Sequence, residues 1–429
     1  MVLPERQRIL KSKHIILGMA LAAQGLMAQV DQATPIVSAA EANGITDAPE
    51  SIWDSAGLSG NWGGARSELL EKGYEFAFEY TAEGFSNVSG GLKTGSVYNG
   101  LGYGAVDVNG ETALGVEGLS LRVSTLWTHG VSPGQYVGDE LTVSNIDAYD
   151  GLRLYEVFAE KSFGKLNVRM GNLLADEEFV GVEYGGPLIN AAFGQPTFWA
   201  ANTLNTGPAF NVVGLGLRLR YDFDEARYAQ FGIYDGDTFD DAEGDATINQ
   251  HGTHFELGNG QGWTSLYEVG YNGFNVDDGA ELPGWYRLGA WYHSTEFDTN
   301  AGGKKEGNGG IYGAVDKMLT RDGLGAFARL GISERDRSRF HWVLDTGFNY
   351  TGLIPGRDED VTALGFVYGK HSSDITTNKS HEAVVELTHQ FQVSPSVYLQ
   401  PDIQWIKRPS GDTSIDDALV IGLRAGFTF

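Results

Sequence analysis

The stretch 172–211 holds the densest set of chemically able side chains. Asp176, Glu177, Glu178, Glu183, Tyr184, Asn190, Phe193, Phe198, Trp199, Asn202 and Asn205 all fall within it. Carboxylates and amides hydrogen-bond hydroxyl groups. Tyr and Trp add flat apolar faces with one polar edge. Such a mixture suits a polyhydroxylated ring, with hydroxyls at its rim and C–H groups on its faces, better than a bare ion. Arg122, Arg169, Arg218 and Arg220 flank the stretch, with Glu156 and Glu160 near them in sequence. Opposed charges of this kind set the selectivity of a narrow passage. They serve equally as ion pairs that hold a segment in place. Glu177 and Glu178 do not imply glycosidase chemistry, which needs two carboxyls facing one bond. The chain has no G-x-S-x-G elbow and no phosphate loop.

A second group, Asp235, Asp237, Asp240, Asp241, Glu243 and Asp245, is a candidate Ca²⁺ or Mg²⁺ site by ligand type. Phe239 stands where an EF-hand needs oxygen, and a solvated acidic loop is the stronger reading. His251 and His254 follow at i, i+3. No other cofactor is expected. The absence of cysteine removes thiol chemistry, Fe–S clusters and Cys-based zinc sites.

These residues need a scaffold, and the N-terminus says where it is built. Arg6, Arg8, Lys11 and Lys13 precede the apolar run Ile15–Ala23, and Leu26-Met27-Ala28 offers a cleavage site, so residues 1–28 read as a signal peptide. Its removal leaves 26 Lys and Arg against 55 Asp and Glu, a net charge of −29. A chain so acidic is a poor nucleic-acid binder. No later apolar run reaches 18 residues, so any membrane span must be made by a closed barrel. Residues 29–73 form a linker ending in a short helix, with Ser67 as candidate cap and Gly73 as terminator.

From Tyr74 onward sixteen segments alternate with period two, and 74–429 reads as an all-β, sixteen-stranded antiparallel transmembrane barrel. Short connections alternate with long ones at 85–100, 129–151, 172–211, 236–262, 298–309 and 407–417. A lipid-facing Arg at mid-bilayer would cost roughly 2–4 kcal/mol. Arg122, Arg169, Arg218, Arg220, Arg287, Arg329 and Arg424 all fall in the polar phase. Arg153, Lys161 and Lys370 fall in the apolar phase near strand ends, and either Asp316 or Lys317 must face outward. Outward aromatics near strand ends, Trp127 and Trp405 among them, suit interfacial girdles, and the chain ends on Phe429.

Several motifs are similar to those of the carbohydrate-selective porin (OprB) family. Leu58-Ser59-Gly60-Asn61-Trp62-Gly63-Gly64-Ala65-Arg66 opens the match. Glu183-Tyr184-Gly185-Gly186, Phe193-Gly194-Gln195-Pro196, Gly352-Leu353-Ile354-Pro355-Gly356-Arg357-Asp358 and Leu399-Gln400-Pro401-Asp402 continue it. The resemblance spans about 58–429. It implies a non-enzymatic channel in the outer membrane of a Gram-negative bacterium, through which monosaccharides or small oligosaccharides diffuse passively. It also implies that 172–211 folds inward as a constriction. The expected solute contacts are Arg122, Glu156, Glu160, Arg169, Glu178, Glu183, Tyr184, Asn190, Trp199, Asn202, Arg218 and Arg220. The expected partners are outer-membrane lipid and lipopolysaccharide, the barrel-assembly machinery reading Phe429, and two further copies in a homotrimer. The rivals are a general or cation-preferring diffusion pore and a secreted β-rich polysaccharide-binding protein or glycosidase.

Overall fold

The computed structural model describes residues 55–429, apart from 242–243, 259, 274, 278–279 and 373–378. The proposed signal peptide, most of the linker and Glu243 lie outside the described residues. Alternation produces strands that close on themselves. They are β1 (Tyr74–Gly91), β2 (Gly95–Asn109), β3 (Leu119–Gly130), β4 (Gly151–Phe163), β5 (Leu166–Leu173), β6 (Gly214–Asp224), β7 (Arg227–Asp235) and β8 (Trp263–Asn272). After a small hairpin, β9 (Asn275–Asp277) and β10 (Ala280–Leu282), the wall resumes with β11 (Gly284–Asp298), β12 (Lys304–Met318) and β13 (Leu324–Ser333). It ends with β14 (Phe340–Thr351), β15 (Val361–His371), β16 (His381–Ser394), β17 (Val397–Lys407) and β18 (Asp416–Thr428). Without the hairpin, sixteen strands form one closed antiparallel barrel, and β1 pairs with both β2 and β18. Closure satisfies every edge, which lipid cannot do.

The two phases separate as expected. Leu364 and Leu387 are cross-strand partners, each 49% exposed on the outside. Glu386 and Gln404, one residue along, are fully buried inside. Among the described residues no helix is long and apolar enough to cross a membrane. Lys317 resolves outward: its ammonium lies 3.0 Å from the Tyr286 hydroxyl, while Asp316 points into the lumen. Arg153 departs from expectation. Val123 pairs with Val157 but Thr125 pairs with Leu154, so β4 holds a bulge. The extra residue inverts the phase beyond it, and Arg153 is 2% exposed inside the barrel.

Two expected long loops are strand instead. β1 and β2 extend through 85–100 into a long hairpin with a turn of only 92–94, and 298–309 shrinks to 299–303. We call the end where β1 begins and β18 finishes the lower end. The upper loops that matter below are L2 (131–150), L3 (174–213) and L4 (236–262). At the lower end a helix, α1 (Ala65–Glu71), starts three residues earlier than a Ser67 cap would place it. Asn61 Oδ1 instead accepts from the Ser67 amide and hydroxyl, both at 3.0 Å. Arg66 donates to the carbonyls of Phe429 (3.1 Å) and Phe76 (2.9 Å) and so braces the seam between the first and last strands.

Candidate functional site

L3 enters the lumen as a chain of short helical turns between Ala175 and Thr206. Its apolar side chains are the barrel's core: Phe179, Val180, Phe193, Phe198 and Trp199 are at most 1% exposed. They pack where the wall is thinned by glycine. A Cβ on Gly331 would fall 2.0 Å from the Phe198 ring, and one on Gly325 would fall 2.0 Å from the Tyr184 ring.

A folded loop inside a barrel must satisfy its backbone, and wall carboxylates do this. Glu386 of β16 accepts the Ile189 and Asn190 amides at 2.5 and 2.8 Å. Asp316 of β12 accepts the Glu183 and Tyr184 amides at 2.7 and 3.0 Å. Glu268 of β8 accepts the Val180 amide at 2.8 Å. The carbonyls are met by Arg329, which donates to Ala192 and Phe193 at 2.9 and 2.6 Å. L2 is held likewise: Glu382 accepts the Glu140 and Leu141 amides, each at 2.9 Å.

Most of the named candidates belong to this anchoring or to a ladder of ion pairs. Asn190 donates to Gln404 at 3.1 Å, and Asn202 joins the Phe340 amide and carbonyl at 3.0 and 2.8 Å. Tyr184 and Trp199 fill the core, and Glu183 contributes its amide to Asp316. On the opposite wall Arg122 holds Asp107 at 2.7 Å and Glu156 at 3.5 Å. Arg169 and Arg218 share Glu160, at 2.6 and 3.0 Å, and both also grip Glu178 of L3. Arg220 pairs with Asp222 at 3.0 Å and lies 3.8 Å from the Tyr228 ring centroid. Burial alone would raise the Glu178 carboxyl, but Arg169 and Arg218 outweigh it and hold it below the ordinary carboxylate range. Neighbouring Glu177 has no such help: burial, with Glu156 and Asp176 nearby, pushes it well above that range.

Between L2 and L3 lies a chamber of about 270 Å³ that none of these twelve residues lines. Its walls are Asn145, Asp147 and Tyr149 of L2, Asp176, Gln195, Phe210 and Asn211 of L3, and Phe239 of L4, with small residues between. Tyr149 and Phe239 meet edge to face at 5.7 Å. Asp176 accepts the Phe210 amide at 3.0 Å on one oxygen, while its Oδ1 and the Asn211 Nδ2 have no partner among the described residues. Both side chains belong to residues under one-tenth exposed. Burial raises the Asp176 carboxyl to about 7 and that of Asp147 to about 6. The L2 and L4 residues were missed because only the longest connection was weighed as a constriction. The run Asp147-Ala148-Tyr149 in a second long loop carries the same carboxylate and aromatic signal.

A closed antiparallel barrel of sixteen strands is shared with known proteins. The family model "Carbohydrate-selective porin, OprB family" matches residues 98–429. The chain belongs to this family. Porin B of Pseudomonas aeruginosa is 25% identical across 89% of this chain and 92% of its own length. Putative porin QuiX of Acinetobacter baylyi is 23% identical across 92% of this chain and 98% of its own length. The high-pH structure of OprB from Pseudomonas putida superposes with a TM-score of 0.80 at 21% identity, covering 89% of this chain and all of that one. That last likeness concerns the fold.

Among the described residues of the acidic loop, no group of three or more His, Asp or Glu is placed to hold an ion. Asp237 accepts from the Asn205 amide group at 2.8 Å, Asp240 pairs with His254 at 2.7 Å, and Asp241 accepts the Asp245 amide at 2.7 Å. Asp235 accepts the Asp237 amide at 3.3 Å. The four candidate acids fold L4 onto itself and onto L3.

Proposed function

We propose that this OprB-family barrel sits in the outer membrane of a Gram-negative bacterium and lets monosaccharides or small oligosaccharides diffuse passively into the periplasm. The observation that carries this reading is the chamber lining: Tyr149, Phe210 and Phe239 offer apolar faces, and Asn145, Asp147, Asp176, Gln195 and Asn211 offer hydrogen bonds. A sugar ring needs both kinds of contact. The arginines and acids of β3 to β6 lie along the same side of the lumen and neutralise one another, which favours uncharged solutes beyond the chamber. Binding in the chamber must be weak, since a tightly held solute would block the pore. The apolar outer wall suits lipid, and β18, which runs into the aromatic Phe429, suits recognition by the barrel-assembly machinery.

Swelling of liposomes carrying the purified protein tests the reading. Glucose should enter faster than uncharged solutes of similar size that are not sugars. Rates that follow size alone would mean a general diffusion pore.

A further inference from the structure

We propose that the chamber between L2 and L3 is a subsite for sugars bearing a cationic amine, so that the channel prefers amino sugars to their neutral parents and disfavours uronates. The inference rests on the sugar-porin reading and narrows its substrate class.

The charge of the lining is one-sided. Asp147 and Asp176 line the chamber, and among the described residues no Lys or Arg does. Three nearby guanidiniums are committed away from the chamber, while Arg424 and Arg153 stand behind its lining, Arg153 with its Nε and Nη2 unpartnered among the described residues. Arg122, Arg169 and Arg218 hold Asp107, Glu156, Glu160 and Glu178. Arg424 holds Glu83 and spends a second nitrogen on Asn145. Arg153, brought inward by the β4 bulge, lies 4.4 Å from the Tyr149 ring centroid and donates to the Tyr149 hydroxyl and the Asn211 carbonyl at 2.9 and 3.1 Å.

The chamber also has vacant valences of the right kinds. Apart from the backbone amides of its own turn, Asp176 Oδ1 is a buried acceptor with no donor among the described residues, and Asn211 Nδ2 is a buried donor with no acceptor among them. Leaving such groups unmatched is unfavourable. An ammonium satisfies the carboxylate by a charge-assisted hydrogen bond, and a ring hydroxyl satisfies the amide. The face of Phe239 attracts cations through its quadrupole, while the Tyr149 ring is already paired with Arg153. A uronate carboxylate would meet two carboxylates in the lining, with Arg153 set behind Tyr149 and Asn211. At about 270 Å³ the space falls just below the range of drug-sized pockets and matches a single sugar ring.

The experiment uses the full-length protein in planar bilayers and reads block of ion current by added solute. The probes are 6-amino-6-deoxyglucose, glucose, glucuronate and ethanolamine, the last a cation without a ring. The amino sugar should block about ten-fold more tightly than glucose, the gain of one charge-assisted over one neutral hydrogen bond. Glucuronate should block least, and ethanolamine far less than the amino sugar. Asp147→Asn and Asp176→Asn preserve shape and should each collapse the amine's advantage. Asp322→Asn, in an exposed lower turn, should leave it intact. Equal block by glucose and its amino derivative, or an advantage that survives both chamber variants, overturns the inference. So does ethanolamine matching the amino sugar, since charge alone would then be read. Absence of block by every sugar would instead bring down the sugar-porin reading.

Discussion

The two sides of the lumen use the same residue types for different ends. On the side of β8 and β11 to β17, carboxylates mainly accept backbone amides, and Arg329 donates to backbone carbonyls as well as pairing with Asp345. There the loop behaves as part of the wall. On the side of β2 to β6, carboxylates meet guanidiniums, and Glu178 is the L3 side chain drawn into that ladder. The first side fixes where L3 lies; the second sets the field along the passage it leaves. If this division is right, substitutions on the first side should change aperture and stability together. Those on the second should change selectivity with little change in stability.

The largest effect is expected at Glu386. Glu386→Ala strands two buried amides, at on the order of 1–3 kcal/mol each. L3 should loosen, raising single-channel conductance and lowering the temperature at which the barrel unfolds in detergent. Glu386→Gln keeps one acceptor oxygen and should fall between. If conductance is the same in all three proteins, the carboxylate does not hold the constriction.

Gly331→Ala should come next. The new methyl meets the Phe198 ring, itself fully buried. Overpacking of this kind costs about 1–3 kcal/mol, and the displaced ring should move the Thr197–Ala200 turn. Gly356, which has open space around it, is the comparison site. Its positive φ of 80° still strains an alanine, so only a markedly larger loss at Gly331 supports ring-into-glycine packing.

The opposite side should respond differently. Arg122→Ala leaves Asp107 and Glu156 without their guanidinium. Reversal potentials in a salt gradient should shift toward cations, with the unfolding temperature nearly constant. A large loss of stability with no change in selectivity would move Arg122 to the structural side of the comparison.

Much of the wall was legible because lipid and lumen impose opposite penalties at period two. The seven polar-phase arginines and the strand count follow from that alone. The β4 bulge was not legible: one inserted residue leaves no mark in composition, yet it turned Arg153 inward. The first hairpin was hidden for a related reason, since Ser86, Ser89, Gly90 and Gly91 read as loop while lying within β1. Within the site, sequence found the charged and aromatic residues but not their roles. Trp199, Asn190 and Asn202 are of the types that bind sugars, and the same apolar area and amide valence equally anchor a buried loop. Only the fold decides whether such a valence meets the wall or the chamber.

The smallest predicted effect concerns the chamber's own acids, which belong to neither side. Asp176 is raised to about 7 by burial, opposed by the Phe210 amide and reinforced by Glu156. Asp147 is raised to about 6 by burial, opposed by the Ser132 hydroxyl and reinforced by Glu83. Each is charged above its pKa and neutral below it, while a primary alkyl amine stays cationic throughout. The advantage of 6-amino-6-deoxyglucose over glucose should therefore shrink as pH falls from about 8 to about 5, first as Asp176 protonates and then as Asp147 does. An ammonium in the chamber stabilises the charged carboxylates, so the loaded channel should lose the preference at a lower pH than the empty one titrates. Binding of the amino sugar near pH 6.5 should then release protons, which calorimetry in buffers of different ionisation heat detects. Glucose, lacking the charge, should bind with little proton release, and equal release for both sugars would remove these two aspartates from the preference.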